Sequence, residues 1–135
     1  RPDRAGLGLS ALHTMLEEFS ASYGIGTALE TSGDLENITV QLWMCIKDNL
    51  TETMTNTLKH GRATKFTLSI RMYNHALRVE YKDNGICSGT FRKGLGLEAI
   101  EERTAANGGN TLFHSGMEGF SVTTVFVDHR KDGIV

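Results

Sequence analysis

Three short polar segments interrupt the hydrophobic patterns of this 135-residue chain, and the elements that must carry them constrain its fold. The first segment, residues 52–60, lies in a helical pattern and spaces Glu52, Asn56 and His60 four residues apart. On a helix, this spacing places a carboxylate, an amide and an imidazole in a row on one face. Such a row can face Mg²⁺ and phosphate.

The other two segments lie where a strand ends and where a helix begins. Asp83-Asn84-Gly85 follows an alternating strand and places a carboxylate at a turn, where Gly85 lets the backbone approach a flat ligand. Residues 94–97, Gly-Leu-Gly-Leu, open a helix, where free N–H groups and the positive end of the helix dipole favour phosphate. The three segments together predict a nucleotide pocket.

Hydrophobic periodicity predicts an alternating order of helices and strands. Apolar residues at helical spacing indicate helices over about 7–23, from a cap at Asn37 or Thr39 to His60, and over about 95–107. Alternating residues indicate strands at 27–31, 66–72, 77–81, 111–115 and 120–127, and residues 83–93 form a long loop. The predicted fold class is an α/β (α+β) two-layer sandwich. It has a mixed, mostly antiparallel sheet of about five strands, covered on one face by three helices.

Composition narrows the classes of partner and setting. The formal net charge is −2, with sixteen acidic and fourteen basic side chains, so no nucleic-acid partner is indicated. Cys45 and Cys87 fit no disulfide framework, which favours a cytoplasmic setting. No apolar run reaches the roughly 18 to 20 residues of a membrane span, so no direct membrane contact is expected. The chain starts without Met, so we expect a fragment of a parent protein that can itself be anchored in the cell membrane.

The order of Glu52-x-x-x-Asn56, Asp83-x-Gly85 and Gly94-x-Gly96-Leu97 resembles the N, G1 and G2 boxes of a known superfamily. This is the gyrase, heat-shock chaperone, histidine kinase and MutL (GHKL) superfamily, with its Bergerat ATP-binding fold. Residues 55–63 and 94–109 resemble more closely the ATP-binding catalytic domain of two-component sensor histidine kinases. The matching subfamily is the one paired with helix-turn-helix response regulators. The resemblance extends from about residue 5 to residue 127.

The resemblance implies ATP and Mg²⁺ as cofactors, with specific roles for the first segment. Glu52 would orient or deprotonate the nucleophile that attacks the γ-phosphate, and Asn56 would bind Mg²⁺ through its amide oxygen. Lys59 and His60 point about 100° apart on the helix, so one of them would reach the phosphates. The alternative for Glu52, Lys59 and His60 is an ordinary solvated helix side chain.

The remaining segments would hold the base and the phosphates. Asp83 and Gly85 would bind adenine, with the carboxylate and a bound water satisfying the amine and the ring nitrogen. The alternative for Asp83 is a turn residue that closes a hairpin. Gly94, Gly96 and Leu97 would bind phosphate. Arg92 and Lys93 directly precede Gly94, so they would screen phosphate charge when the loop at 83–93, the predicted ATP lid, closes. The alternative is an ordinary solvated loop.

Two positions depart from the family pattern. The second glycine of the G1 box is Cys87, which would be strained if that position needs a positive φ. In the last hairpin, the superfamily often has Gly-Thr, with the hydroxyl helping to hold the adenine water, whereas this chain has Gly119-Phe120. We expect that contact to be missing or replaced by backbone.

The resulting prediction is a catalytic domain at residues 10–130, preceded by the end of a linker at 1–9 and followed by a tail at 131–135. In the intact protein it would transfer the γ-phosphoryl group of ATP to a histidine on a separate dimerisation domain. A response regulator would be an indirect partner. No histidine here has the context of the acceptor, so the fragment alone should not phosphorylate itself. The alternatives are an anti-sigma-type Ser/Thr kinase of the same fold and a degenerate, non-catalytic interaction module.

Overall fold

A computed structural model describes residues 4–60, 62–86 and 94–127 of the chain. The predicted three helices and five strands are present in the predicted order. The helices are α1 (Arg4–Tyr23), α2 (Val40–His60) and α3 (Leu95–Ala106). The strands are β1 (Gly26–Ser32), β2 (Lys65–Met72), β3 (Ala76–Asp83), β4 (Gly109–Gly116) and β5 (Gly119–Val127). Within these residues, no helix is long and apolar enough to cross a membrane.

The five strands form one mixed sheet in the order β1-β2-β3-β5-β4. Strand β1 runs parallel to β2, and α2 makes the crossover between them, whereas every other neighbouring pair is antiparallel. The predicted fold class, a mostly antiparallel sheet with three helices, is therefore confirmed.

Alternation along β3 divides the sheet into a covered and an open face. Leu77, Val79 and Tyr81 are buried in the core between sheet and helices, and Asp83 is the next residue on that same face. Its antiparallel partner on β5 is Phe120. The strand register thus places a carboxylate at the end of an apolar row, beside the backbone of β5.

Helix α2 begins where a side chain supplies its first missing hydrogen bond. The Leu42 N–H donates to Thr39 Oγ1 at 3.2 Å, so Thr39 rather than Asn37 is the N-cap. The helix then buries Leu42, Ile46 and Leu50 against the sheet.

Helix α1 begins at Arg4, earlier than periodicity from about residue 7 predicts. Its first turn packs because Ala5 is buried and Gly8 lies directly against the Trp43 ring of α2, where a Cβ would collide with that ring. Close approach of the two helices thus extends α1 toward the N-terminus. The prediction of a linker end at residues 1–9 stays a prediction.

Candidate functional site

The Asp83 carboxylate is 5% exposed and accepts three hydrogen bonds from three different parts of the chain. Thr57 on α2 donates its hydroxyl to Asp83 Oδ2 at 2.7 Å. The Gly85 and Phe120 N–H groups donate to Oδ1 at 2.9 and 3.4 Å. The carboxylate is therefore fixed by a helix, by its own turn and by the neighbouring strand.

The sequence left open whether Asp83 is only a turn residue. Its hydrogen bond from the Gly85 N–H, two residues on, is the bond that a turn residue makes. The bond from Thr57 crosses 26 residues of chain and has no role in the turn. Asp83 thus closes the turn and is also held against α2.

Two glycines let the backbone close around Asp83. A Cβ at Gly85 would lie 3.3 Å from both the Ala63 nitrogen and Asp83 Oδ1, so space rather than a positive φ favours glycine there. Gly119 has φ of 127°, and a Cβ on it would collide with the Asp83 carbonyl. Gly119, which was not predicted as a site residue, therefore sets how closely β5 approaches the carboxylate.

Asn84 anchors the turn that follows Asp83, and this role was not predicted. Its Oδ1 accepts from the N–H groups of Thr64 and Lys65 at 2.8 and 3.0 Å. Its Nδ2 donates to Thr64 Oγ1 at 2.9 Å. The amide thus ties the end of β3 to the start of β2 and limits movement of the carboxylate beside it.

The first predicted segment lies on α2. Glu52 and Asn56 are half-buried, while Lys59 is exposed and His60 is the last residue of α2. Among the described residues, the Asn56 side chain makes no hydrogen bond to protein. Its amide oxygen is therefore available as a ligand for a metal ion, about one helical turn from the Glu52 carboxylate.

The third segment meets the first at the start of α3. Gly94 occupies the N-cap position without a side-chain hydrogen bond, so the first turn of the helix has no side-chain cap. A Cβ on Gly96 would lie only 2.7 Å from Glu52 Oε2, so the missing side chain admits the carboxylate. The Leu97 side chain is buried in the core, so only its backbone N–H could bind the predicted phosphate.

Three positions considered in the sequence analysis, Arg92, Lys93 and Cys87, lie outside the described residues. The predicted screening of phosphate charge by Arg92 and Lys93 and the predicted effect of Cys87 stay predictions.

Beside the site, α2 and α3 are joined by a second polar group of residues, the Asn49 cluster: Cys45, Asp48, Asn49, Arg103 and Thr104. Arg103 Nη1 donates to Asn49 Oδ1 at 2.7 Å, and Asn49 Nδ2 donates to Thr104 Oγ1 at 3.3 Å and to Cys45 Sγ at 3.6 Å. Burial raises the pKa of the Cys45 thiol above its ordinary value. This cluster holds α3, whose N-cap is Gly94, against α2, which carries Glu52.

A depression of about 310 Å³ lies on the open face of the sheet, and it contains none of the predicted site residues. Its lining includes Arg78, Glu80 and Lys82, the side chains that alternate outward along β3. Because the predicted residues converge on the helix-covered face, we assign the candidate site there.

Comparisons with known proteins point to one family. Bacillus subtilis sensor histidine kinase LnrJ is 27% identical over 119 residues, which cover 87% of this chain and 30% of that protein. Rhizobium johnstonii sensor histidine kinase MctS is 29% identical over 126 residues, covering 88% of this chain and 27% of that protein. The chain therefore spans about 30% of the length of these curated relatives. No model of a known protein family matches it.

Solved structures share the fold at lower sequence identity. Acinetobacter baumannii histidine kinase AdeS superposes with a TM-score of 0.71 at 15% identity, covering 93% of this chain and 65% of that one. The nucleotide-free catalytic domain of histidine kinase ThkA gives a TM-score of 0.68 at 13% identity, covering 92% and 93%. The chain is thus similar in sequence to sensor histidine kinases and shares the fold of histidine kinase catalytic domains.

Proposed function

We propose that this domain binds Mg²⁺-ATP and, in the longer protein, delivers the γ-phosphoryl group to a histidine on a separate dimerisation domain. The observation that carries the proposal is that α2 contacts both predicted ends of a nucleotide. Asp83 meets α2 at Thr57, and Gly96 meets it at Glu52. These positions are five residues apart, or about 7.5 Å along the helix axis.

The adenine end is supported by the carboxylate chemistry of Asp83. A carboxylate only accepts hydrogen bonds, and adenine presents an exocyclic amine that only donates. A bound water beside the carboxylate would donate to the ring nitrogen. The close approach of the backbone at Gly85 and Gly119 to Asp83 supports a base edge beside this carboxylate.

The phosphate end is supported by the uncapped start of α3 and by Asn56. Amide N–H groups at a helix N-terminus favour anionic oxygens. Mg²⁺ prefers hard oxygen ligands and retains several waters, so one neutral amide oxygen together with phosphate oxygens suits it. Lys59 or His60, with Arg92 and Lys93, would neutralise the remaining phosphate charge.

The chemical step would be mostly positioning and charge neutralisation. Glu52, admitted by Gly96 to the start of α3, would orient or deprotonate the attacking histidine of the dimerisation domain. The phosphoryl group would then pass to a response regulator of the helix-turn-helix type, which the residues of segments 55–63 and 94–109 favour. A cytoplasmic setting, with an anchor elsewhere in the parent, is part of this proposal.

Nucleotide titration tests the proposal on this chain. We expect ADP and a non-hydrolysable ATP analogue to bind, the latter more tightly with Mg²⁺, in isothermal titration calorimetry. Asp83→Asn should weaken binding by about 1–3 kcal/mol, because the Gly85 and Phe120 N–H groups hold the amide oxygen and leave an N–H facing the amine. Glu80→Gln, on the open face of the same strand, is the matched control and should bind normally.

Two outcomes would contradict the proposal. Absence of nucleotide binding by the folded wild-type chain would indicate a non-catalytic interaction module. Stoichiometric labelling of the chain by radioactive ATP would mean that it contains its own acceptor, against the proposed separate dimerisation domain.

A further inference from the structure

Thr57 uses its hydroxyl differently from the other threonines described on α2. The hydroxyls of Thr51 and Thr55 donate to the carbonyls four residues earlier, at 3.3 and 2.9 Å, and Thr53 donates to the Leu50 carbonyl at 3.0 Å. These local bonds are the usual ones for threonine inside a helix. Thr57 instead reaches Asp83 Oδ2 at 2.7 Å, and both residues are buried.

The direction of this hydrogen bond is fixed by the groups involved. An ionised carboxylate has no proton to donate, so the Thr57 hydroxyl must be the donor. Having used its only proton, the hydroxyl oxygen can act toward any third group only as an acceptor. Thr57 and Asp83 therefore form a pair that presents acceptors alone.

The hydrogen bonds to Asp83 also determine which oxygen is left for a ligand. Oδ1 accepts from the Gly85 and Phe120 N–H groups, and Oδ2 accepts from Thr57. Since each carboxylate oxygen accepts about two hydrogen bonds, one acceptor position remains on Oδ2 within the described part of the chain. Phe120, the neighbour of Asp83 on β5, has no side-chain hydroxyl. Among the described residues, Thr57 is therefore the side chain that orients Asp83 Oδ2.

We infer that Thr57 is a positioning and specificity-determining residue that selects a purine with an amine at position 6. This inference rests on the proposed nucleotide binding and deepens it. An acceptor-only pair favours adenine, whose position-6 amine donates. It disfavours hypoxanthine, whose position-6 carbonyl would face two acceptors. Without the Thr57 donor, Oδ2 loses its fixed orientation, and the discrimination should fall.

The test compares the affinities of ADP and IDP, which differ at position 6, for the wild-type chain and three variants. Thr57→Val keeps the side-chain shape and removes the hydroxyl, so it should weaken ADP binding about tenfold and IDP binding much less. Thr57→Ser retains the hydroxyl and should keep the wild-type ratio. Thr53→Val is the matched control, because Thr53 is equally buried on the same helix but bonds only locally.

Thermal unfolding is measured beside each titration. Should Thr57→Val not fold, Thr57→Ala removes the same hydroxyl without filling its space, and it is expected to show the same loss of the ADP/IDP ratio. A folded hydroxyl-free variant with the wild-type ratio overturns the role of Thr57 but leaves nucleotide binding standing. A wild-type chain that binds neither nucleotide overturns the proposed function as well.

Discussion

Helix α2 contacts two groups of polar residues, the Asn49 cluster and the hydrogen bonds around Asp83. They differ in how many of their hydrogen-bonding positions the protein itself fills. In the Asn49 cluster, the Asn49 oxygen and nitrogen both have protein partners, and the amide is completely buried. At Asp83, the described residues supply three donors and leave an acceptor position on Oδ2. The Asn49 amide joins α2 to α3, whereas the Asp83 carboxylate keeps an acceptor position for the proposed ligand.

This difference follows from the cost of burying polar atoms. A buried amide whose oxygen and nitrogen both have protein partners stabilises the packing of the two helices. A fixed carboxylate with a remaining acceptor position gains when a matching donor arrives. Changes near Asp83 and Glu52 should therefore affect nucleotide chemistry, and changes at the buried residues of the Asn49 cluster should affect folding.

The largest expected effect is loss of phosphoryl transfer on changing Glu52 in a longer protein that includes the dimerisation domain. Glu52→Ala should reduce the rate of histidine phosphorylation at least about a hundredfold, because a general base or orienting carboxylate is removed. Nucleotide affinity should change less than about threefold. The measurements are radioactive phosphate incorporation and calorimetric titration.

Glu52→Gln sharpens the test because it keeps the shape of the side chain beside Gly96. It should lose transfer like the alanine variant while binding nucleotide normally. Transfer at the wild-type rate by the glutamine variant, or a parallel loss of binding in both variants, would show that Glu52 belongs with the structural residues.

The next effect is on stability and concerns the Asn49 cluster. Asn49→Leu has similar volume but leaves the Arg103 guanidinium without its 2.7 Å acceptor and Thr104 without its donor. We expect the free energy of unfolding in urea to fall by about 2–3 kcal/mol. Asp48→Asn is the control, because this exposed residue lies 4.0 Å from Arg103 and should change stability by less than about 0.5 kcal/mol.

The same variant tests the separation between the two groups of residues. Asn49→Leu should keep the wild-type ratio of ADP affinity to IDP affinity under all conditions in which the variant is folded. A changed ratio at unchanged stability would mean that the Asn49 cluster participates in base selection, which would remove the distinction drawn between the two groups.

The sequence predicts the elements well because their signals are local. Alternation, helical spacing, caps and Gly-x-Gly are each read within a few residues, and the five strands and three helices follow in order. The contact of Glu52 with Gly96 was also within reach, since the first and third segments were expected to meet at one ligand. Local patterns do not contain the register that places Asp83 opposite Phe120.

Thr57 was missed for a related reason. Leu42, Ile46, Leu50 and Met54 repeat at intervals of four along α2, but such a row drifts by about 40° per step on a helix of 3.6 residues per turn. The buried side therefore continues to Thr53 and Thr57, while Met54 is half-buried. A hydroxyl at a position where the pattern calls for an apolar residue was the available signal.

The smallest expected effect is a pH dependence of the free energy of unfolding that arises from Cys45. It tests how completely the Asn49 cluster excludes water. Burial raises the pKa of this thiol in the folded chain, while in the unfolded chain it ionises near its ordinary value of 9.0. Stability from this group is thus fully present below pH 9 and is lost as the pH rises toward the folded pKa. The loss should reach at most about 1.4 kcal/mol by pH 10.

Cys45→Ala tests this contribution, because the variant lacks the buried thiol and keeps the rest of the chain. Urea unfolding at pH 7 to 10, under reducing conditions, should show wild-type stability falling more steeply above pH 9 than that of the variant. Parallel curves would mean that water reaches the thiol in the folded chain. The Asn49 cluster would then be as open to solvent as a ligand site. The number of hydrogen-bond partners would not be enough to distinguish structural residues from binding residues around α2.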